Sequence, residues 1–220
     1  MNPILRRIIT ALSTAAAVVL AVVYAPPSVL PPACAVLAVL ALLEFVLLLR
    51  MKAPLVSARG VCGLLAGGAV IAGAFLFALP EIALRHGNLM LLYVIAIVKV
   101  SDMGGFALGL STAKLMRGGN HKMCPSISPN KSWEGLLGSV LAACVVSWLF
   151  LPVTRFPWWK ALAFGAAAAL VGTLGDLVES KFKRWVGVKD SATFMPAGLG
   201  GFLDMFDSLL LAPPLLLPFI

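Results

Sequence analysis

Residues 158–178 read WWKALAFGAAAALVGTLGDLV, and Lys160 and Asp176 are the only charged side chains in that run. A helix that crosses a bilayer needs about 20 mostly apolar residues, and this stretch meets that length. Comparable runs lie near 8–24, 33–49, 61–79, 89–110, 133–152 and 203–220. The reading is an all-α, polytopic transmembrane helix bundle of about seven spans, with six to eight as the range. Glu44 interrupts the second run, and Asp204, Asp207, Pro213, Pro214 and Pro218 interrupt the last.

Composition agrees. The 220 residues are 61% hydrophobic and 12% charged, with a mean hydropathy of +1.02, which excludes an ordinary water-soluble domain. The first run, with Arg6 and Arg7 before it and Val23-Tyr24-Ala25 after it, also has the pattern of a cleaved leader, against which Pro26 argues. Cys34, Cys62, Cys124 and Cys144 are scattered without metal-ligand spacing, so neither zinc nor a disulfide framework is indicated.

A net charge of +8 would suggest nucleic acid in a soluble protein, but here its distribution along the chain is more informative. Arg6 and Arg7 precede the first run; Arg50, Lys52 and Arg59 follow the second; Lys114, Arg117, Lys122 and Lys131 follow the fourth; Lys181, Lys183, Arg184 and Lys189 follow the sixth. The opposite loops carry only Arg85, Arg155 and Lys160, and Lys99 lies inside a run. By the positive-inside rule the N-terminus and the large basic loops are expected in the cytoplasm of a cell-membrane protein. Seven spans would put the C-terminus outside. No nucleic-acid partner is expected.

Residues 1–220 read as a single membrane domain, with scaffold helices over 1–88 and more polar helices and cytoplasmic loops over 89–220. Gly63 with Gly67, and Gly105 with Gly109, have the spacing that lets membrane helices approach closely. Polar chemistry gathers after residue 95, in a loop over about 111–132 and a second polar stretch over about 179–200.

Only nine acidic residues are present, and Glu44, Asp102, Glu134, Asp176, Asp204 and Asp207 fall within or at the ends of the apolar runs. A charged side chain at mid-bilayer costs at least about 2.5–3.5 kcal/mol, so each needs compensation. Asp204 and Asp207 share a helix face at i, i+3; Asp176 and Glu179 repeat that spacing, and Ser180, Lys183 and Arg184 extend the face. Two carboxylates on one helix facing a third are suited to magnesium; intramembrane ion pairing, such as Glu179 with Lys183, accounts for them equally well. Glu44 reads as a helix-packing carboxylate, and Glu81 and Asp190 as solvated. There is no nucleophilic triad, Walker loop or dinucleotide fingerprint.

Three ordered blocks resemble the phosphatidate cytidylyltransferases. The first is Lys99-Val100-Ser101-Asp102-Met103-Gly104-Gly105-Phe106 with Gly109. The second is Ser126-Ile127-Ser128-Pro129-Asn130-Lys131-Ser132-Trp133-Glu134-Gly135. The third runs from Gly175-Asp176 through Glu179-Ser180-Lys181-Phe182-Lys183-Arg184, Lys189-Asp190-Ser191 and Pro196 to Leu203-Asp204-Met205-Phe206-Asp207-Ser208. Two departures stand out: Leu199, with one extra residue near Ala197, where the family reads Pro-Gly-His-Gly-Gly, and Met205 where it has arginine between the aspartates.

The resemblance implies transfer of a cytidylyl group from CTP to phosphatidate, giving CDP-diacylglycerol and pyrophosphate for phospholipid synthesis at the cytoplasmic face of the bilayer. It further implies magnesium, alone or with a second cation, held by Asp176, Asp204 and Asp207. Lys183, Arg184, Lys189 and Lys131 would neutralise phosphates, and Ser128, Asn130, Asp102, Ser180 and Asp190 would make substrate contacts. A homodimer is also implied. The competing readings are a CTP-dependent polyprenol or phytol kinase, a cytidylyltransferase for another lipid phosphate, or a degenerate membrane scaffold or transporter.

Overall fold

The computed structural model describes residues 16–26, 28–52, 57–116, 119–188 and 201–220. A helical stretch over 16–24 (α1) leads into α2, Leu30–Lys52. α3, Ala58–Ala72, passes through a π-helical turn, Gly73–Ala78, into α4, Leu79–His86. The π turn directly precedes Pro80, whose missing N–H removes a regular i→i−4 bond from the next turn. α5 is Asn88–Leu115; two short strands, β1 (Lys122–Cys124) and β2 (Ser128–Ser132), follow it. Next come α6 (Trp133–Leu149), the single turn α7 (Leu151–Thr154), α8 (Trp158–Val186) and α9 (Phe202–Leu216), which tapers into a 3₁₀ turn, Leu217–Phe219.

Among the described residues, five helices are long and apolar enough to cross a membrane: Leu30–Lys52, the continuous Ala58–His86, Asn88–Leu115, Trp158–Val186 and Phe202–Phe219. The protein is an integral membrane protein built as an all-helical bundle. They answer the expected runs at 33–49, 61–79, 89–110, 158–178 and 203–220. The expected run at 133–152 is α6, a shorter apolar helix of 17 residues. Of the expected run at 8–24, only 16–24 lies within the described residues.

Exposed tryptophans mark both ends of the α6–α8 pair. Trp148, Trp158 and Trp159 cluster where the short α7 connection joins the two helices, and Trp133 and Trp185 lie at the opposite end. That is the interfacial placement favoured by amphipathic indole rings.

Three details differ from the sequence reading. The loop after α5 contains the β1–β2 hairpin, paired antiparallel with Lys122 opposite Ser132 and Cys124 opposite Ser128. α8 continues past residue 178, the expected end of its apolar run, to Val186, which keeps Glu179, Ser180, Lys183 and Arg184 on the helix as their spacing implied. Gly187, at φ 95°, ends it by donating to Lys183 O and Arg184 O, a left-handed cap that glycine adopts without strain. Glu81, read as solvated, is ion-paired with Arg85 at i, i+4.

Close approach at glycine sets the α5–α6 contact. A Cβ on Gly138 would lie 2.5 Å from Gly104 O and 2.6 Å from Leu108 Cβ, and one on Gly135 would lie 3.1 Å from Gly105 O. These glycines replace side-chain packing with backbone contact. The expected close packing at Gly63 and Gly67 is also present, against the side chains of Leu49 and Phe45. The buried interior is formed by Phe75, Ile82, Tyr93, Val94, Ile97 and Val98, and Tyr93 Oη shares a hydrogen bond of 2.9 Å with Ser147 Oγ.

Gly138→Ala should destabilise the bundle by about 1–3 kcal/mol, because the new methyl meets backbone that cannot yield. Gly172→Ala, whose Cβ would meet Ser208 Cβ at 3.7 Å, should be neutral or raise stability by up to about 1 kcal/mol through helix propensity. Thermal unfolding of the two variants in detergent checks the contrast.

Candidate active site

The second motif block folds as a capped hairpin-to-helix junction. Ser132 is the N-cap of α6 and accepts from Gly135 N at 3.1 Å, as hydroxyl caps do. Asn120 Nδ2 donates to Gly109 O at 2.5 Å and to Ser132 Oγ at 3.2 Å, fastening the junction to the end of α5. On the outer side, Glu134 Oε1 accepts from His121 N at 3.2 Å and lies 2.6 Å from His121 Nδ1. His121 is thus engaged by an acid in the first turn of α6.

So held, the hairpin directs Lys131 inward. Its ammonium lies 2.7 Å from Asp176 Oδ2 and donates to Thr173 O at 3.3 Å. Asp176 Oδ1 is buried and accepts no hydrogen bond, which leaves an oxygen available to a ligand. A cavity of about 250 Å³ opens beside this pair, lined by Asp102, Ser128, Asn130, Lys131 and Asp176 among others. Residues from all three motif blocks therefore meet at one void.

A second layer lies behind it, where α5 meets α9. Lys99 Nζ donates to Met205 O at 2.8 Å and to Ser208 Oγ at 3.1 Å, and lies 3.8 Å from Asp102 Oδ2. Ser208 Oγ donates to Asp102 Oδ2 at 2.8 Å, while Asp207 Oδ1 accepts from Ser208 N at 2.6 Å. Asp102, Asp176 and Asp207 are close enough for mutual repulsion, with Lys99 and Lys131 within electrostatic reach of Asp102 and Lys99 within reach of Asp207. Gly175 lets α9 come this near, since a Cβ there would lie 2.8 Å from Asp207 O.

Farther along α8, Lys183 bridges Glu179, at 2.7 Å, and Asp204. Asp204 Oδ2 also accepts from Gly201 N at 3.0 Å, at the start of α9. Asp204 thus joins Lys183, and Asp207 joins the Asp102–Asp176 group. Among the described residues, no three His, Cys, Asp or Glu side chains converge on a common point that would hold a metal ion. Arg184 Nε reaches Ile127 O in the hairpin turn at 3.5 Å, and its Nη1 reaches Val188 O at 3.4 Å. Ser180 is half-buried on α8, one turn before Arg184. Lys189, Asp190, Ala197 and Leu199 lie outside the described residues.

Thr173 joins the site without having been singled out, Lys99 and Ser208 were quoted only as members of the motif blocks, and Glu179 pairs with Lys183 as its spacing allowed. A lysine inside a membrane run, spaced i, i+3 from an acid, was the available signal for Lys99.

The model of the cytidylyltransferase family matches residues 57–220. The chain belongs to that family. Residues of the chain are 37% identical over 140 residues to a phosphatidate cytidylyltransferase of Haemophilus influenzae, covering 59% of this chain and 44% of the relative. They are 43% identical over 128 residues to one from Staphylococcus aureus, covering 57% and 46%. The chain thus matches a little under half the length of these relatives. The cavity and all of its motif residues fall inside the family match.

Breaking the Lys183 bridge should be costly, since its side chain is 13% exposed and those of its partners 8% and 21%. Lys183→Met leaves two acids facing each other and should lower stability by about 3–5 kcal/mol. Arg85→Ala removes a partner that is 73% exposed and should cost no more than about 1 kcal/mol. Comparing their denaturation midpoints tests the difference.

Proposed function

We propose that the protein transfers the cytidylyl group of CTP to phosphatidate, releasing pyrophosphate and forming CDP-diacylglycerol. The observation that carries this reading is the Lys131–Asp176 pair beside a polar cavity that unites the three motif blocks. Family membership and the names of the relatives support the same chemistry. In the proposed reaction a phosphatidate oxygen attacks the α-phosphorus of CTP. The bond from that phosphorus to the bridging oxygen of the β-phosphate breaks, and pyrophosphate departs with the electron pair. The attacking phosphate is already anionic near neutral pH, so no strong base is needed. The difficulty is bringing two polyanions together.

Lys131, Lys183, Arg184 and Lys189 serve in this reading as the cationic groups for the two phosphate-bearing substrates. Ser128, Asn130, Ser180 and Asp190 serve as substrate contacts, and Asp102 orients Ser208. Magnesium, alone or with a second cation, would be held chiefly by Asp176, with Asp207 near it and Asp204 toward Lys183. When bound it supplies charge neutralisation at the transferring phosphorus. Two features favour a cation here. Asp102, Asp176 and Asp207 outnumber the lysines Lys99 and Lys131 that face them, and Asp176 Oδ1 is free. Magnesium commonly binds through one or two carboxylates plus substrate phosphates, so a full protein cage is not required.

The alternating basic loops favour about seven spans in a cell membrane, with the N-terminus and the site facing the cytoplasm, where CTP and the lipid phosphate meet. A homodimer completes the proposal.

Purified protein in detergent, given labelled CTP, phosphatidate and magnesium, should form CDP-lipid with release of pyrophosphate. Asp176→Asn should reduce the rate at least about 10²-fold, the scale of losing one electrostatic contact at a transition state. Equal CDP-lipid from the variant and wild type would overturn the role of Asp176. Release of CDP with a phosphorylated lipid would instead make the protein a kinase.

A further inference from the structure

Helix α9 carries Asp204 and Asp207, yet among the described residues its N-cap makes no side-chain hydrogen bond. Gly201 is the N-cap residue and has no side chain to accept from the first-turn amides, whereas Ser, Thr, Asp or Asn would. Asp204 turns back to accept from Gly201 N, at 3.0 Å, but that satisfies the N-cap amide and leaves the next turn open. The missing acceptor comes from 159 residues away in the chain. Glu44, in the middle of α2, receives Leu203 N on Oε2 at 2.6 Å and is 0% exposed.

We infer that Glu44 is a positioning residue: a remote N-cap that fixes the first turn of α9, and with it Asp204 and Asp207, against the scaffold helices. The chemistry favours this pairing. A buried carboxylate among apolar helices is stable only with a compensating partner, and the N-terminus of a helix offers N–H groups and the positive end of its dipole. Adjacent contacts hold α2 in register with the same region. Phe45 stacks on Phe182, beside Lys183, with ring centroids 4.9 Å apart, and α2 packs on both α8 and α9. Glu44 lies outside the 57–220 family match and is not among the residues lining the polar cavity. It would act on the reaction only through the placement of α9, and this inference rests on the cytidylyl transfer proposed above.

The test is Glu44→Ala in the full chain, read by steady-state kinetics for CTP and phosphatidate and by hydrogen exchange of the peptide covering 201–208. Loss of the cap should lower kcat at least about tenfold, as small misplacements of reacting groups do, with KM for either substrate changing less than about threefold. Exchange should rise in 201–208 while α5 and α6 stay protected. Glu44→Gln keeps an acceptor at the same reach and should restore at least a third of wild-type kcat together with the lost protection. Unchanged kcat and exchange in Glu44→Ala, or a Gln variant no better than the Ala variant, would overturn the assignment. If the Ala variant does not accumulate folded, Glu44→Asp, one methylene shorter, decides: reduced kcat at near-constant KM supports positioning, and wild-type kcat overturns it. A wild type that forms no CDP-lipid, yet loses protection at 201–208 on Glu44→Ala, would refute the proposed activity while leaving the cap intact.

Discussion

Lys131 reaching from the hairpin to Asp176 on α8 ties the polar loop to the membrane helices, and the surrounding structure is arranged to permit it. The hairpin must stand over α8, which Asn120, Ser132 and the α6 cap enforce. α6 must lie hard against α5, which the glycines at 104, 105, 135 and 138 allow. α9 must approach α8 closely enough for Asp207 to share the same field, which Gly175 allows. Ion pairing at this depth is stabilising only when geometry and further hydrogen bonds offset desolvation, so the scaffold around the pair has to be rigid.

That requirement connects the two halves of the chain. α2 contributes no lining to the polar cavity, but it supplies the acceptor for the first turn of the helix that carries two of the site's acids. The scaffold is therefore coupled to the site through one backbone amide as well as through apolar packing. Ion pairing, one of the two explanations the sequence left open for these acids, is present in two places: Glu179 and Asp204 share Lys183, and Asp176 pairs with Lys131 through one oxygen while its other oxygen accepts no hydrogen bond.

The bundle was legible because hydropathy over about 20 residues is a local property. No contact between helices enters that reading; the runs at 33–49, 89–110 and 158–178 alone announce α2, α5 and α8. Asp102, Ser128, Asn130, Lys131 and Asp176 were legible as candidates because they fall in ordered motif blocks, and they line one cavity. Thr173 was not, since a backbone carbonyl accepting from a lysine of another element leaves no mark in local spacing, and the contacts of Lys99 and Ser208, though both fall in the blocks, exist only where α5 meets α9.

By itself, the sequence determined that the chain is a membrane helix bundle with acids and lysines gathered in its C-terminal half, because apolar run length and residue type are read one segment at a time. Only the tertiary structure decided how those charges are distributed: Lys131 to Asp176, Lys183 to Glu179 and Asp204, Glu44 to Leu203 N. The reason is physical. A buried charge takes whichever complementary group helix packing brings within about 3 Å, and packing depends on the shapes of several helices together, down to the glycines that let their backbones touch.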